Sequence, residues 1–463
     1  MAEAKGSFSG TIGFVLAAAG SAIGLGNIWR FPYLAAQNGG GLFLIVYLVL
    51  LLVFGLALLL TEIAIGRKTR QSPLYAYRAL HPKGSMLGLL ATIVPFLILP
   101  YYCVIGGWVT KYFVLFLTGH AAEAAQAKFF TSFISSVSEP IVYTVFFLLA
   151  TAYIIYRGVA YGIERISIIL MPILFLMIIG IAIFALTLSH TDGEVTRTGF
   201  DGLAYYLAPK TEGMTFNSFL SLCLAALGQL FYSISFAMGI MIAYGSYFED
   251  KGNLFRSVTQ IAFFDTLVAF LAGIMIIVPF VVFQGEDAMQ SSGPSLLFIS
   301  VPKLFVSMGS TGVVVGTIFF LMVFFASLTS AISILEAVVA CFMERFDLTR
   351  KKATFIETAI ALGLAVIVCL GYNVFYFEYP LPNGSIGQIL DFMDFASCNF
   401  LMPILAIGTC IFIGWVVSPR VLLEEATKNG EKFLFKGLYS FVIRYAAPVI
   451  LTIILLQCFG VFK

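Results

Sequence analysis

The feature that most constrains this chain is the length of its charge-free apolar runs: Phe31 to Thr61 and Gly84 to Thr110 contain no Asp, Glu, Lys or Arg. About 20 mostly apolar residues in helical form are enough to cross the hydrocarbon of a bilayer. In that solvent a helix is also the one open-ended structure that satisfies its own backbone. Hydrophobic residues make up 60% of the 463 and charged residues 11%, too few to clothe a water-soluble surface. The same reading predicts spans at about 11–36, 41–66, 84–118, 139–156, 163–189, 217–248, 254–283, 309–345, 352–374, 386–418 and 437–462. The expectation is an all-α membrane protein of about 11 transmembrane helices, organised as a single domain over 1–463.

The net charge is only +2, but the basic residues are unevenly placed. Arg67, Lys68, Arg70, Arg78 and Lys83 follow the second span; Arg157 and Arg165, Lys251 and Arg256, Arg345 to Lys352 and Arg420 to Lys436 recur at every second connection. The alternate connections hold Lys128, Arg197, Lys210 and Lys303. Because cytoplasmic loops carry the excess of Lys and Arg, the amino terminus is expected in the cytoplasm and the carboxyl terminus outside. No cleavable signal is expected, since the first apolar segment continues into structure without a small-residue cleavage site. The seven cysteines lack CxxC spacing and read as small buried hydrophobes. His81, His120 and His190 sit in separate loops, and the chain has no GxSxG, GKS or GKT. These absences remove the usual supports for a metal site, a hydrolase or an ATP-driven pump.

Two spans break the apolar pattern. Gly20, Gly24 and Gly26, with Ser21 and Asn27, put helix-weakening and polar residues at bilayer depth in the first span. Gly20 and Gly24 also satisfy GxxxG, so a small-residue packing face is the alternative. The sixth span repeats the anomaly with Gln229, Tyr232, Ser233, Ser235 and Gly239. Interruptions at the first position of two five-helix sets predict a five-plus-five inverted repeat with broken helices 1 and 6. Repeat one then covers about 11–189, repeat two about 217–418, and an extra helix about 437–462. As in known secondary transporters of this class, freed carbonyls and half-helix termini would bind a cation and a carboxylate at the midplane.

Asp265 lies a third of the way along the seventh span, where a carboxylate needs a cation, a proton or water. Ala326 to Ser333 brings a cluster of hydroxyls to the eighth span, the alternative for each being a bond back to its own helix. Glu62 is expected to satisfy freed backbone amides near the first break.

These residues resemble a known family. GSAIGLGNIWRFP at Gly20 to Pro32, followed by Asn38 to Gly41, is similar to the signature of the neurotransmitter:sodium symporter family. The resemblance continues through Tyr101-Tyr102, Gln229 to Phe231, Ala326 to Ser330 and Asp391 to Asp394, placing the chain near the bacterial hydrophobic and aromatic amino-acid branch. It implies two sodium sites. The first takes the Ala22 carbonyl, Asn27, Ser233 and Asp265; the second takes the carbonyls of Gly20, Ile23 and Ala326 and the hydroxyls of Thr329 and Ser330. All are oxygen donors, which a hard cation requires. Many members have asparagine at the position of Asp265, and leucine-transporting members carry a glutamate at that of Ala269. A fixed carboxylate at Asp265 can offset the sodium charge as chloride does elsewhere, so chloride independence is expected. A proton leaving on Asp265 in the return step is a further expectation.

The resemblance also implies the substrate and the gates. Monoamine carriers place an aspartate at the position of Gly24, so glycine points to an amino-acid carboxylate, held by Tyr102 and accommodated by Gly24 and Gly26. Carbonyls around Ser21, Ala22, Phe231 and Ser235 hold the amine, beside Ser233. Ile98, Ile105, Tyr232, Met238, Ala331, Ser333 and Ile334 line an apolar side-chain pocket that selects by shape, with the flexible Met238 making room for a large residue. Arg30 and Asp394 form the outer gate, with Tyr102 and Tyr232 its inner lid. Lys5 and Glu344 form the inner gate near Phe8, Ser246 and Tyr247. The Gly162-x9-Pro172 spacing resembles members whose fifth helix unwinds beside the second sodium.

The implied function is sodium-coupled import of a hydrophobic or aromatic amino acid across the bacterial inner membrane, with sodium ions, the amino acid and the lipid bilayer as partners and no nucleic acid or enzyme chemistry. A membrane sensor of the same fold is the rival reading. A channel is disfavoured because the oxygens converge on closed sites.

Overall fold

The computed structural model describes residues 6–285, 293–382, 386–433 and 435–459. Among the described residues ten helices are long and apolar enough to cross a bilayer, and a bent pair supplies an eleventh span. The bent pair is the first span, Thr11–Ala22 and Gly26–Gln37, whose halves meet at 55°. Spans two to five are Gly41–Thr69, Pro82–Leu117, Glu139–Tyr156 and Val159–Thr187. The sixth is Phe216–Ser233, continued after a break by Ile240–Ser246. Spans seven to eleven are Leu254–Gln284, Gly309–Phe346, Arg350–Leu370, Ile389–Val417 and Lys436–Cys458. The chain is thus the expected all-α membrane protein. Two small antiparallel hairpins that the apolar pattern did not disclose, Ser189–Asp192 with Val195–Thr198 and Tyr379–Pro380 with Ile386–Gly387, decorate its connections.

Both breaks have a local cause. In the first span the residue closing the lower half, Ile23, leaves helical geometry at φ −77° and ψ 91°. The break in the sixth is more severe: Ser235, Ala237 and Gly239 have φ of 52°, 59° and 70°. Left-handed conformations cost an L-residue roughly 1 kcal/mol or more, so a helix cannot run through them.

Close approach of spans positions the broken helices. A Cβ on Gly66 would lie 2.1 Å from the Ile242 carbonyl, and one on Gly245 would lie 2.4 Å from that of Ile63. The second span and the second half of the sixth therefore meet backbone to backbone, which only glycine permits. The lower half of the first span packs against spans five, seven and eight.

Candidate functional site

The two breaks face one another and are tied together. Ser235 Oγ donates to the Ser21 carbonyl at 3.2 Å, and Gln229 Nε2 donates to the Gly26 carbonyl at 3.2 Å. Glu62 performs the task expected of it at the other break: its Oε1 accepts the Ala237 N–H at 2.9 Å. Ala237 has φ 59°, so it is the break of the sixth span, not of the first, that takes the carboxylate.

Between the breaks lies a small cavity. Of the expected substrate residues it is lined by Ser21, Ala22, Gly24, Gly26, Ile98, Tyr102, Tyr232, Ser233, Ser235, Met238 and Ile334. Leu25, Asn27, Ile240, Ser330 and Cys398 complete the wall. Three expected lining residues, Ser333, Ile105 and Ala331, are not on this wall. Ser333 donates to the Thr329 carbonyl at 3.0 Å and shares a hydrogen bond with Tyr244 at 2.8 Å. Phe231, expected to offer its carbonyl rather than its side chain, packs its ring edge-on against Phe236 at 5.9 Å. Ile105 and Ala331 are buried in the core without reaching the cavity.

Polar chemistry is concentrated at one end. The Tyr102 hydroxyl is buried without a hydrogen bond of acceptable geometry, with Ser330 and the Leu25 backbone close by. A Cβ on Gly24 would sit 3.0 Å from Ser330 Oγ and 3.4 Å from the Tyr102 hydroxyl. Glycine is what keeps that corner open.

The residues of the first expected sodium site converge. Asn27, Ser233 and Asp265 are almost fully buried. Asn27 Nδ2 donates to Asp265 Oδ1 at 2.7 Å, and Ser233 Oγ lies 2.8 and 2.9 Å from the two carboxylate oxygens. Three elements thus bring polar oxygen-bearing side chains to one point beside the cavity. The Tyr47 hydroxyl, which the sequence reading passed over, is buried beside Ser233 and Asp265 without a hydrogen-bond partner. Its signal was present: a tyrosine inside a charge-free apolar run.

At the second site, Ser330 Oγ lies 3.4 Å from the Gly20 carbonyl, 3.2 Å from that of Ser21 and 3.4 Å from that of Ile23. Thr329 instead bonds back to its own helix, to the Phe325 and Ala326 carbonyls at 3.0 and 3.1 Å. Of the two readings of the hydroxyl cluster, back-bonding describes Thr329 and Ser333, whereas Ser330 crosses to the broken first span. Met171, next to Pro172, reaches the same place: its sulfur would lie 3.0 Å from a Cβ on Gly20. Gly162 belongs to a widened helical turn, Val159–Glu164, where a Cβ would meet the Ile154 carbonyl at 2.0 Å.

At one end of the cavity, Arg30 stacks over the Tyr232 ring at 5.4 Å, and Tyr101 donates to Asp394 Oδ1 at 3.0 Å. On the opposite side the chain is closed by Phe8, which is buried against Phe14, Tyr244 and Tyr247 and donates its N–H to the Tyr247 carbonyl at 3.3 Å. Lys5 lies outside the described residues. Glu344 accepts the Ser72 N–H at 2.7 Å, while the Tyr247 hydroxyl donates at 2.7 Å to a different carboxylate, Glu336, which is also paired with Arg350 at 2.5 and 3.0 Å. Sequence reasoning missed this Tyr247–Glu336–Arg350 cluster. A glutamate inside the eighth span and an arginine opening the ninth were its visible signal.

Comparison with known proteins accords with this geometry. The chain matches the solved structure of MhsT in complex with L-phenylalanine with a TM-score of 0.84 and 33% identity, over 98% of this chain and 100% of that one. The sodium-dependent transporter YhdH of Bacillus subtilis is 33% identical over 462 residues, 97% of each chain. The human sodium- and chloride-dependent GABA transporter 2 is 25% identical over 462 residues, 90% of this chain and 74% of that one. The profile of the sodium:neurotransmitter symporter family matches residues 5–132 and 126–463. With both broken spans in place and the match running along its whole length, this chain belongs to the sodium:neurotransmitter symporter family and is a sodium-dependent transporter, not an enzyme.

Proposed function

We propose that this transporter imports a large hydrophobic or aromatic amino acid together with sodium, by alternating access and without chloride. The observation that carries the reading is the division of the cavity. The orphan Tyr102 hydroxyl and the corner kept open by Gly24 fit a carboxylate, and Ile98, Met238 and Ile334 on the wall fit an apolar side chain. A decarboxylated amine would leave Tyr102 unpaired, at a cost of about 1–3 kcal/mol.

Two sodium ions are assigned. The first is held by Asp265, Asn27, Ser233 and the Ala22 carbonyl, the second by the Gly20, Ile23 and Ala326 carbonyls with Thr329 and Ser330. Binding draws the first, sixth, seventh and eighth spans together, because each site takes ligands from elements that otherwise part at the breaks. Asp265 supplies fixed negative charge beside the first ion, and Ala269 at the next turn adds none. That arrangement makes an exchangeable anion unnecessary. The uneven basic residues orient the Phe8 side toward the cytoplasm of a bacterial cell, with Arg30 and Asp394 toward the exterior.

The test is uptake by proteoliposomes across a screen of the twenty amino acids, with sodium, potassium or choline outside and chloride replaced by gluconate. Accumulation of leucine, phenylalanine, tyrosine or tryptophan in sodium gluconate is the expected result. Uptake confined to amines, or abolished by gluconate, would overturn it.

A further inference from the structure

The fourth and fifth spans leave a crevice at the end of the molecule where most basic residues lie. Its wall is graded. Arg157 and Arg165 stand at the mouth with Tyr153 and Tyr161, and Ala150, Ile154 and Ile166 lie deeper along the two helices. The grading follows from sequence: the fourth span ends at Tyr156, so Arg157 is its first residue beyond the apolar run, and the fifth begins at Val159. Tyr153 and Tyr161 are 60% and 72% exposed, as aromatic rings at a bilayer surface are.

No acidic side chain lines this crevice. Among the described residues Arg157 reaches the Tyr153 hydroxyl at 3.1 Å and the face of that ring. Glu164, next to Arg165 in sequence, points to the other side of the helix and accepts the Ser9 N–H and hydroxyl at 2.8 and 2.6 Å. Two guanidinium groups above an apolar slot match one class of molecule, an anionic phosphate headgroup carrying acyl chains.

We propose that the crevice between the fourth and fifth spans binds an anionic phospholipid, its phosphate held by Arg157 and Arg165 and an acyl chain lying along Ala150, Ile154 and Ile166. The turn that carries these arginines is also the turn whose Glu164 fastens Ser9 at the foot of the first span. Headgroup binding therefore braces the contact that holds the closed side shut. Gly162 fits the same picture, for it lines the crevice and lets the two helices close to backbone contact behind the lipid.

The probe is phosphatidylglycerol, added to the full-length protein in phosphatidylcholine nanodiscs and followed by native mass spectrometry and by the thermal unfolding midpoint. The variants are Arg157→Gln with Arg165→Gln, and Lys68→Gln with Lys83→Gln as an equal loss of charge on the same face. Wild type and the lysine variant are expected to retain bound phosphatidylglycerol and to be stabilised by it. The arginine variant should bind about thirtyfold more weakly, two arginines at about 1 kcal/mol each. Equal weakening in both variants would reduce the effect to surface charge and overturn the site. Stabilisation of wild type by inorganic phosphate to the same extent would overturn the lipid as occupant. If the arginine variant misfolds, Arg157→Lys with Arg165→Lys keeps the charge and is expected to bind between the two.

Discussion

Asp265 shows how much one carboxylate is asked to do. It is fully buried and takes hydrogen bonds from Asn27 and Ser233. Asp265→Asn keeps the shape and removes the charge, so sodium affinity is expected to fall by about tenfold or more, the loss of one charge-assisted interaction. Uptake by that variant should gain a dependence on chloride, which flux measurements in sodium gluconate against sodium chloride will detect. Tyr102 makes the complementary case. Among the described residues its hydroxyl makes no well-formed hydrogen bond, so Tyr102→Phe should leave the unfolding midpoint nearly unchanged while amino-acid affinity falls about tenfold, read by equilibrium binding. A structural tyrosine would show the reverse.

At the scale of the element, the break in the sixth span is a set of backbone conformations held by its surroundings. Gly239 has φ 70°, and a Cβ there would meet the Ala91 carbonyl at 2.5 Å. Gly239→Ala is therefore expected to destabilise by more than about 1 kcal/mol. Ala237, at φ 59°, already bears such a strain, and Ala237→Gly should be neutral or stabilising by up to about 1 kcal/mol. Opposite signs from two neighbouring residues, measured by thermal unfolding in one detergent, are the signature of a fixed break; a flexible one would tolerate both changes. Glu62→Ala strands the Ala237 N–H and should cost about 1–3 kcal/mol. The break is legible in sequence because glycines and hydroxyls accumulate there. Which break Glu62 caps is not legible, since that depends on where the second span crosses.

For the whole molecule, the ends of distant spans are clamped together on the basic face. Arg67, fully buried, pairs with Glu425 at 2.8 Å and donates to the Gly252 carbonyl at 2.9 Å. It thereby joins the second span to the connections after the sixth and tenth. Arg67→Met removes one of the two cations on Glu425, leaving Lys428 at 2.9 Å, and is expected to lower stability by about 3 kcal/mol, seen in the unfolding midpoint. Outside it, exposed Asp250 bridges Arg70 and Lys428, which hold its carboxyl down to about 2. A depressed value means the bridge contributes above the ordinary carboxylate range of about 4 and is lost as pH falls toward about 2. The stability difference between wild type and Asp250→Asn should accordingly persist at neutral pH and close in acid.

The eleven spans, the two interruptions and the family signature were all legible in the residues. Each rests on a local requirement: a bilayer demands continuous apolar helix, and any departure from it is conspicuous within a few residues. The oxygen donors around Asp265 and Ser330 were legible for the same reason, being polar groups at a depth where polar groups are costly. Tertiary structure alone decided which face each residue turns inward. A rotation of about 100° per residue separates Ile334, on the cavity wall, from Ser333, which bonds Tyr244 instead. It also decided the partners of Glu62, Tyr247 and Arg350, because a buried polar group takes whichever complement packing brings within about 3 Å, and that is set by the crossing of helices far apart in the chain.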